Sequence, residues 1–159
     1  MFSLIISIIS ILLVSALAVA TLVYGIYSYY ESSNSSKVAY LLNTANTVAT
    51  AAIFAKSSGV VMSGRSVNNV IILKDKEYLT TLPIYEKSNF IIDADQSLVK
   101  IQNSQALTLD VCKRIIADYD NIKLDSVAVP NGTTEGRKYG CHVGSSGAGY
   151  YTFYYRFDK

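Results

Sequence analysis

The sequence predicts an α+β fold in which one long N-terminal α-helix packs on a small antiparallel sheet. Three observations lead to this prediction. Residues 1–30 contain no charged side chain, a helical spacing of apolar residues resumes after a short polar stretch, and the last segment alternates its residues as a strand does. We therefore expect a hydrophobic helix at 1–30, an amphipathic helix at 31–58 and an α+β head at 59–159.

Charge is confined to the later part of the 159-residue chain. All 14 Lys and Arg and all 12 Asp and Glu come after residue 30, and the formal net charge is only +2. A nucleic-acid-binding surface needs a concentrated basic patch. Because the sequence contains no such concentration, we expect no specific nucleic-acid partner.

The uncharged segment is long enough to sit in a membrane. A helix of this length spans about 45 Å, and the hydrocarbon core of a bilayer is about 30 Å thick. No Lys or Arg precedes the apolar run, although secretory signals and N-terminal anchors usually carry a basic flank. Two explanations stay open: a short basic leader was removed and Met1 is the mature first residue, or Met1 is the initiator.

Small and hydroxyl-bearing residues form one stripe along this segment. They recur at spacings of three or four once Val14 fills one gap, and they are Ser3, Ser7, Ser10, Ala18, Thr21, Gly25 and Ser28. Such stripes let helices approach closely in an apolar medium and let hydroxyls bond across the interface. The alternative is that the hydroxyls only bond to their own helix backbone.

The helical pattern resumes after the polar stretch at 31–36. Apolar residues then follow the spacing of an amphipathic helix: Val38, Leu41, Leu42, Ala45, Val48, Ala49, Ala52 and Ile53. Ser57, Ser58 and Gly59 end the pattern, so we expect one helix from about 2 to 57. Its front half needs lipid or copies of itself to cover it, and its rear half needs one globular domain.

The head is predicted to contain about four or five strands and one short helix. The helix lies at 107–120, with Thr108 as its N-cap. We expect strands at Val70–Leu73, at Phe90–Ile92 and Leu98–Ile101 as a hairpin, at Leu124–Val129, and at the aromatic C-terminus around 150–157. The tyrosines of this last strand, Tyr150, Tyr151, Tyr154 and Tyr155, either pack in the core, which we favour, or contact sugars or a neighbouring subunit.

Cys112 and Cys141 are the two cysteines of the chain. A membrane-length segment at the start favours placing the head outside the cytoplasm, where disulfides persist. A bond between them closes a loop of about 30 residues, worth about 3–4 kcal/mol in the chain-entropy model. The alternative is two buried free thiols. Two Cys and one His without paired spacing do not make a zinc site.

Little in the sequence indicates catalysis. His142 follows Cys141, but neighbours along a strand point to opposite faces. The glycines of 144–149 do not form a phosphate-binding motif, and Asp93 and Asp95 lie in a predicted turn. We expect no enzyme activity, no cofactor and no metal.

This layout resembles a mature type IV pilin, and more closely the type IVb branch. The resemblance rests on the uncharged helix that continues into a head, on Met1 as a non-Phe first residue, on the stretch 76–92, and on the Leu-Thr, Cys and short helix of 106–119. It covers nearly the whole chain. It implies that Cys141 is the disulfide partner of Cys112 and that the Met1 amine is processed and methylated.

One position departs from the family. Most pilins carry Glu at the fifth mature position, where it contacts a neighbour's N-terminus during assembly, and this chain has Ile5. A carboxylate in an apolar core is costly, so its loss need not harm packing. The departure favours a minor pilin or an assembly set by the small-residue stripe.

The function expected from this resemblance is that of a structural subunit of a homopolymeric pilus, whose head mediates adhesion or conjugative mating. The predicted assembly core comprises Ser3, Leu4, Ile5, Ser7, Ile8, Ser10, Ile11, Leu12, Leu13, Ala18, Thr21 and Gly25. The resemblance implies an inner-membrane stage, a prepilin peptidase, pilus assembly machinery and a final place on the cell surface. The alternative is a minor pilin or pseudopilin-like component of a secretion or uptake machine.

Overall fold

The protein has an α+β fold in which a long N-terminal helix packs on a small antiparallel sheet, as the sequence predicts. The structure, a computed structural model, describes residues 2–132, 136–147 and 149–157, with side chains from residue 11 onward. Its helices are α1 (Phe2–Ser57), α2 (Asn68–Asp75), α3 (Leu109–Asp120) and a 3-10 turn (Leu124–Ser126). Its strands are β1 (Arg65–Ser66), β2 (Ile84–Tyr85), β3 (Ser88–Asn89), β4 (Ile91–Asp93), β5 (Leu98–Ser104), β6 (Tyr139–Val143) and β7 (Tyr151–Arg156).

The chain divides into two compact units, Met1–Ser36 and Lys37–Lys159. In the first unit the described residues form one uninterrupted stretch of α1, which continues to Ser57 as the sequence predicts. Every described side chain from residue 11 to 32 is exposed. The first unit therefore has no core of its own among these residues.

The second unit is built on a five-stranded antiparallel sheet in the order β1-β4-β5-β7-β6. The predicted hairpin is confirmed as β4 and β5, with Ile92 opposite Val99. The C-terminal strand is confirmed as β7, and it lies between β5 and β6. A separate two-stranded ribbon, β2 with β3, brings the described strands to seven, more than the four or five expected.

The core lies between one face of this sheet and the rear part of α1. Buried alanines and larger residues line the helix, and they are Val38, Leu41, Ala45, Val48, Ala49, Ala51, Ala52 and Ala55. They meet the sheet residues Val99, Ile101, Phe153 and Tyr155 in one cluster. The small alanine side chains let the helix lie close to the sheet. The predicted Ile53 is instead half exposed, because it lies off this alanine row.

Short α3 forms as predicted and covers the same core. The Thr108 hydroxyl accepts a hydrogen bond from the backbone N–H of Val111 at 3.4 Å, which caps the helix start. Asn121 ends the helix in the left-handed conformation at φ 53°. Cys112 and Ile115 are fully buried beneath it.

Residues 70–73, predicted as a strand, belong to helix α2. Val70 and Leu73, three residues apart, are both buried, which is a helical pattern. The buried Asn69 amide reaches the carbonyls of Ser63, Gly64 and Ile92 at 3.1–3.3 Å and fixes the start of α2. The strand prediction was wrong because the conformation of this β-branched run is determined by these contacts with residues distant in the sequence.

Residues 124–129 are also not a strand. Leu124–Ser126 is a 3-10 turn, and Val127 is buried against Ile116 and Ala117 of α3. The apolar residues of this stretch therefore serve a small satellite cluster rather than a sheet.

Strand β7 is buried on both faces. Phe153 and Tyr155 face the core, and Tyr154 on the opposite face is only 1% exposed. The Tyr154 ring fills the space beside Gly140 of β6, where a β-carbon would lie 2.6 Å from the tyrosine hydroxyl. The expectation of core packing is confirmed for Tyr154 and Tyr155, whereas Tyr150 and Tyr151 are half exposed.

Candidate assembly surface

The front of α1 exposes large apolar side chains in every direction. Ile11, Leu12 and Leu13 are 69%, 63% and 58% exposed, and Leu17, Leu22 and Ile26 are similar. A contiguous apolar surface of this kind marks contact with a membrane or with other protein. No described residue of the first unit covers it.

Two hydroxyls on this surface are hydrogen-bonded within the helix. Thr21 Oγ1, in the small-residue stripe, donates to the carbonyl of Ala18 at 2.9 Å, and Ser15 Oγ, outside the stripe, donates to that of Leu12 at 2.9 Å. Hydrogen bonds across a helix pair are therefore not required to satisfy these two hydroxyls.

A shallow groove follows the small residues near the end of the uncharged segment. It is lined by Thr21, Leu22, Gly25, Ile26, Tyr29 and Tyr30. No heavy atom lies within 4 Å of the place where a β-carbon of Gly25 would be. Missing side chains at such positions let a second helix approach closely in an apolar medium.

Four exposed tyrosines stand immediately before the first charged residue, Glu31. They are Tyr24, Tyr27, Tyr29 and Tyr30, and each exposes at least 64% of its surface. Tyrosine is enriched where a membrane meets water. Sequence reasoning overlooked this set, although its position between the uncharged run and the first charge was visible.

By length and composition, α1 is able to cross a membrane. Within the described residues it is the one helix that meets this test, with a mean hydropathy of 2.0 in its most apolar window, none of which is buried. Signal sequences and the core helices of soluble proteins pass the same test, so the finding is compatible with an anchor and does not establish one.

Met1, the predicted site of processing and methylation, lies outside the described residues. In the predicted assembly core, the side chains of Ser3, Leu4, Ile5, Ser7, Ile8 and Ser10 are not described, although their backbone belongs to α1. Ile11, Leu12, Leu13, Ala18, Thr21 and Gly25 are exposed on the helix. The roles of all these residues in assembly stay predictions.

The predicted disulfide is present between Cys112 of α3 and Cys141 of β6. Their Cα atoms lie 5.3 Å apart, and both residues are almost fully buried. The alternative of two free thiols is therefore wrong. His142 follows Cys141, and its Nδ1 atom lies 2.8 Å from the carbonyl oxygen of Val143. Because the Cys141 sulfur is held in the disulfide, this pair offers no nucleophilic thiol.

The β2–β3 ribbon holds the rear half of α1 from the side. Tyr40 Oη donates to the carbonyl of Ile84 at 2.9 Å, and the Tyr40 and Tyr85 rings stack at 6.3 Å. Lys37 and Glu86 form an ion pair of 2.8 Å. Burial, with a smaller contribution from the Glu86 carboxylate, raises the pKa of Tyr85 to about 12.

A hydrogen bond joins the same helix to the sheet. Tyr155 Oη donates to Asn46 Oδ1 at 2.9 Å, at a sequence separation of 109 residues. Tyr155 also stacks on Tyr139 of the edge strand β6, where burial, followed by the nearby Asp118, raises the pKa of Tyr139. The rear half of α1 is thus an integral part of the head.

Comparison with family models, with curated proteins and with solved structures gives no match to this chain.

Proposed function

We propose that this chain is the structural subunit of a filament of the type IV pilus kind, closest to the type IVb branch. One observation carries the proposal: helix α1 exposes every described side chain from 11 to 32, and its residues 38–55 supply one side of the head's core. The exposed side chains of the front segment are then covered by lipid or by other copies of the chain.

Burial of this surface provides the energy for assembly. Covering one exposed Leu or Ile stabilises a contact by roughly 1.5–3 kcal/mol, and the front of α1 offers many such residues. In lipid the surface is already covered, so close helix packing decides between membrane and bundle. The groove at Gly25 is the described feature best suited to such packing.

The exposed tyrosines support a membrane stage before assembly. Their rings have an apolar body and a polar tip, which suits the bilayer interface, and the first charge follows directly. The resemblance to type IVb pilins adds an inner-membrane precursor, a prepilin peptidase, pilus assembly machinery and methylation of Met1. It also adds a cell-surface filament whose heads make contacts for adhesion or conjugative mating.

The test is whether surface fibres contain this chain and depend on the groove. Fibres sheared from cells are imaged by electron microscopy, and their subunit is identified by mass spectrometry. Gly25→Leu adds bulk to the groove at a position where a β-carbon has no described heavy atom within 4 Å, and we expect it to reduce fibres strongly while membrane insertion persists.

A matched control is Ala16→Leu, which adds the same bulk on the opposite side of the exposed helix. It should leave fibre yield near that of the parent. Equal fibre yields from Gly25→Leu and the parent would remove the groove from the assembly surface, and absence of the chain from any fibre would overturn the filament itself.

A minor pilin or pseudopilin-like membrane component is the second candidate. Ile5 favours it, because most major pilins carry Glu at that position. Immunogold counting separates the two: labels along the whole fibre support the major subunit, and a single label at the tip or in the inner membrane supports the minor one.

A further inference from the structure

A polar cleft lies on the face of the five-stranded sheet opposite the core. Its volume is about 420 Å³, and its walls are Arg65, Gln96, Lys100, Gln102, Asn103, Gly132, His142, Ser145 and Thr152. None of these residues belongs to the proposed assembly surface on α1. Among its described walls, Arg65, Lys100 and His142 are the basic side chains, and no carboxylate is present.

The buried Lys100 forms one end of the cleft. Its ammonium group donates to Asp93 Oδ2 at 2.9 Å and to Gln96 Oε1 at 2.9 Å. An ammonium group has three N–H donors, so two described acceptors leave one donor. Only about 8% of either side chain of this ion pair is exposed, which fixes the position of the charge.

Among the described residues of this face, positive charge exceeds negative charge. Arg65 lies directly opposite Asp93 in the sheet, yet its guanidinium makes no ion pair among the described residues. Arg156, opposite Leu98, has a buried Nε atom that no described group satisfies. The nearby carboxylates are Asp93, held by Lys100, and Asp95, which accepts the backbone N–H of Gly64. An anionic ligand would balance the excess.

Amide and hydroxyl groups at the other end are held in fixed positions. Asn103, in the left-handed conformation at φ 49°, donates its backbone N–H to Thr152 Oγ1 at 3.1 Å. Its side chain donates to Ser145 Oγ at 2.8 Å and accepts the Ser145 N–H at 2.9 Å. A β-carbon at Gly144 would overlap Asn103 Oδ1, so this arrangement requires glycine there.

We propose that this cleft binds an acidic sugar unit, one that carries a carboxylate beside several hydroxyls. Guanidinium groups bind carboxylates through two parallel hydrogen bonds, which suits Arg65, and Lys100 adds a second cation to the lining of the same cleft. Amides and hydroxyls both donate and accept, which suits sugar hydroxyls at Gln102, Asn103 and Thr152. No Phe, Tyr or Trp ring lines the described cleft, so the broad stacking surface that holds many neutral sugars is missing.

The test uses the full chain in detergent micelles with glucuronate, glucose and inorganic phosphate as separate probes. Backbone amide shifts are followed by NMR during each titration. We expect saturable shifts at Lys100, His142 and Thr152 with glucuronate, and weak, non-saturating shifts with glucose. Glucose binding as tight as glucuronate would overturn the role of the carboxylate, and phosphate binding as tight as glucuronate would overturn the sugar.

Two variants locate the site. Arg65→Gln, at an exposed edge position, should weaken glucuronate binding at least about tenfold, the effect of losing a charged hydrogen-bond pair. Lys74→Gln, an exposed cation on α2 outside the cleft, is the control and should bind like the parent. Equal affinities for Arg65→Gln and Lys74→Gln would reject the cleft as the binding site. This result is independent of fibre formation.

Discussion

The rear half of helix α1 buries its apolar side chains within the chain, whereas the front half exposes them. Between residues 37 and 57 the apolar side chains occupy one face, and a row of alanines lies close to the chain's own sheet. Between residues 11 and 30 apolar side chains point in all directions, and none of them is buried. The first pattern specifies an intramolecular core, and the second leaves the covering to other molecules.

Small residues appear in both halves with different consequences. In the rear half, Ala45, Ala52 and Ala55 are completely buried against the head. In the front half, Ala18 and Gly25 are exposed, and Gly25 lines a groove that the described chain leaves open. Close packing is thus completed within the chain at one end of the helix and is available to a partner at the other.

The largest expected effect comes from removing the same side chain in each half. Leu41→Ala creates a cavity at a fully buried site and should lower the free energy of unfolding of the head by about 2–5 kcal/mol. Leu17→Ala, at a site 58% exposed, should change it little. Urea unfolding of the full chain in micelles, followed by near-UV circular dichroism, compares them. Equal losses of unfolding free energy in Leu41→Ala and Leu17→Ala would contradict the difference between the two halves.

A second prediction separates the halves through the disulfide. Replacing Cys112 and Cys141 together by Ala removes the closure of a 29-residue separation and should cost the head about 3–4 kcal/mol. Heating this double variant in micelles should abolish the near-UV signal at a lower temperature than in the parent. The far-UV helical signal of the front half should survive that transition, and simultaneous loss of both signals would contradict the division.

The smallest of the three effects is a pH dependence confined to the rear half. Burial raises the pKa of Tyr85 from its ordinary value of 10.0 to about 12, so the folded head favours the neutral phenol. Its contribution is complete below pH 10 and is lost as pH rises towards 12, which should lower the unfolding free energy by about 2 kcal/mol.

Tyr85→Phe should flatten that decline, whereas Tyr27→Phe in the exposed front half should not. The Tyr85 hydroxyl is buried and has no hydrogen-bond partner among the described residues, so its removal should not destabilise the head near neutral pH. Denaturation midpoints measured from pH 8 to 11.5 provide the comparison. Parallel curves for Tyr85→Phe and the parent would assign the decline to other groups.

Much of this fold could be predicted from the sequence because its elements have strong local sequence patterns. The continuous helix, the Thr108 cap and the alternating C-terminal strand depend on neighbours in the chain, and each appears as predicted. The disulfide followed from the small number of cysteines and their setting. Short-range periodicity and capping chemistry are sufficient for such elements.

Elements that depend on residues distant in the sequence could not be predicted from the sequence alone. The helix at 68–75 depends on the Asn69 amide and three carbonyls, one of them in β4. The two-residue strands β1 and β2 are too short to produce an alternating pattern. The polar cleft assembles Arg65, Lys100 and Thr152 from three strands, and only the sheet order brings them together.

At Gly140 of β6, the ring of Tyr154 on the neighbouring strand β7 occupies the space that a side chain would fill. Any larger residue there must push the Tyr154 ring outward, since its hydroxyl and the adjacent ring carbon would both lie under 3 Å from the new atom. An alanine at 140 therefore requires either a displaced Tyr154 ring or a smaller residue at 154.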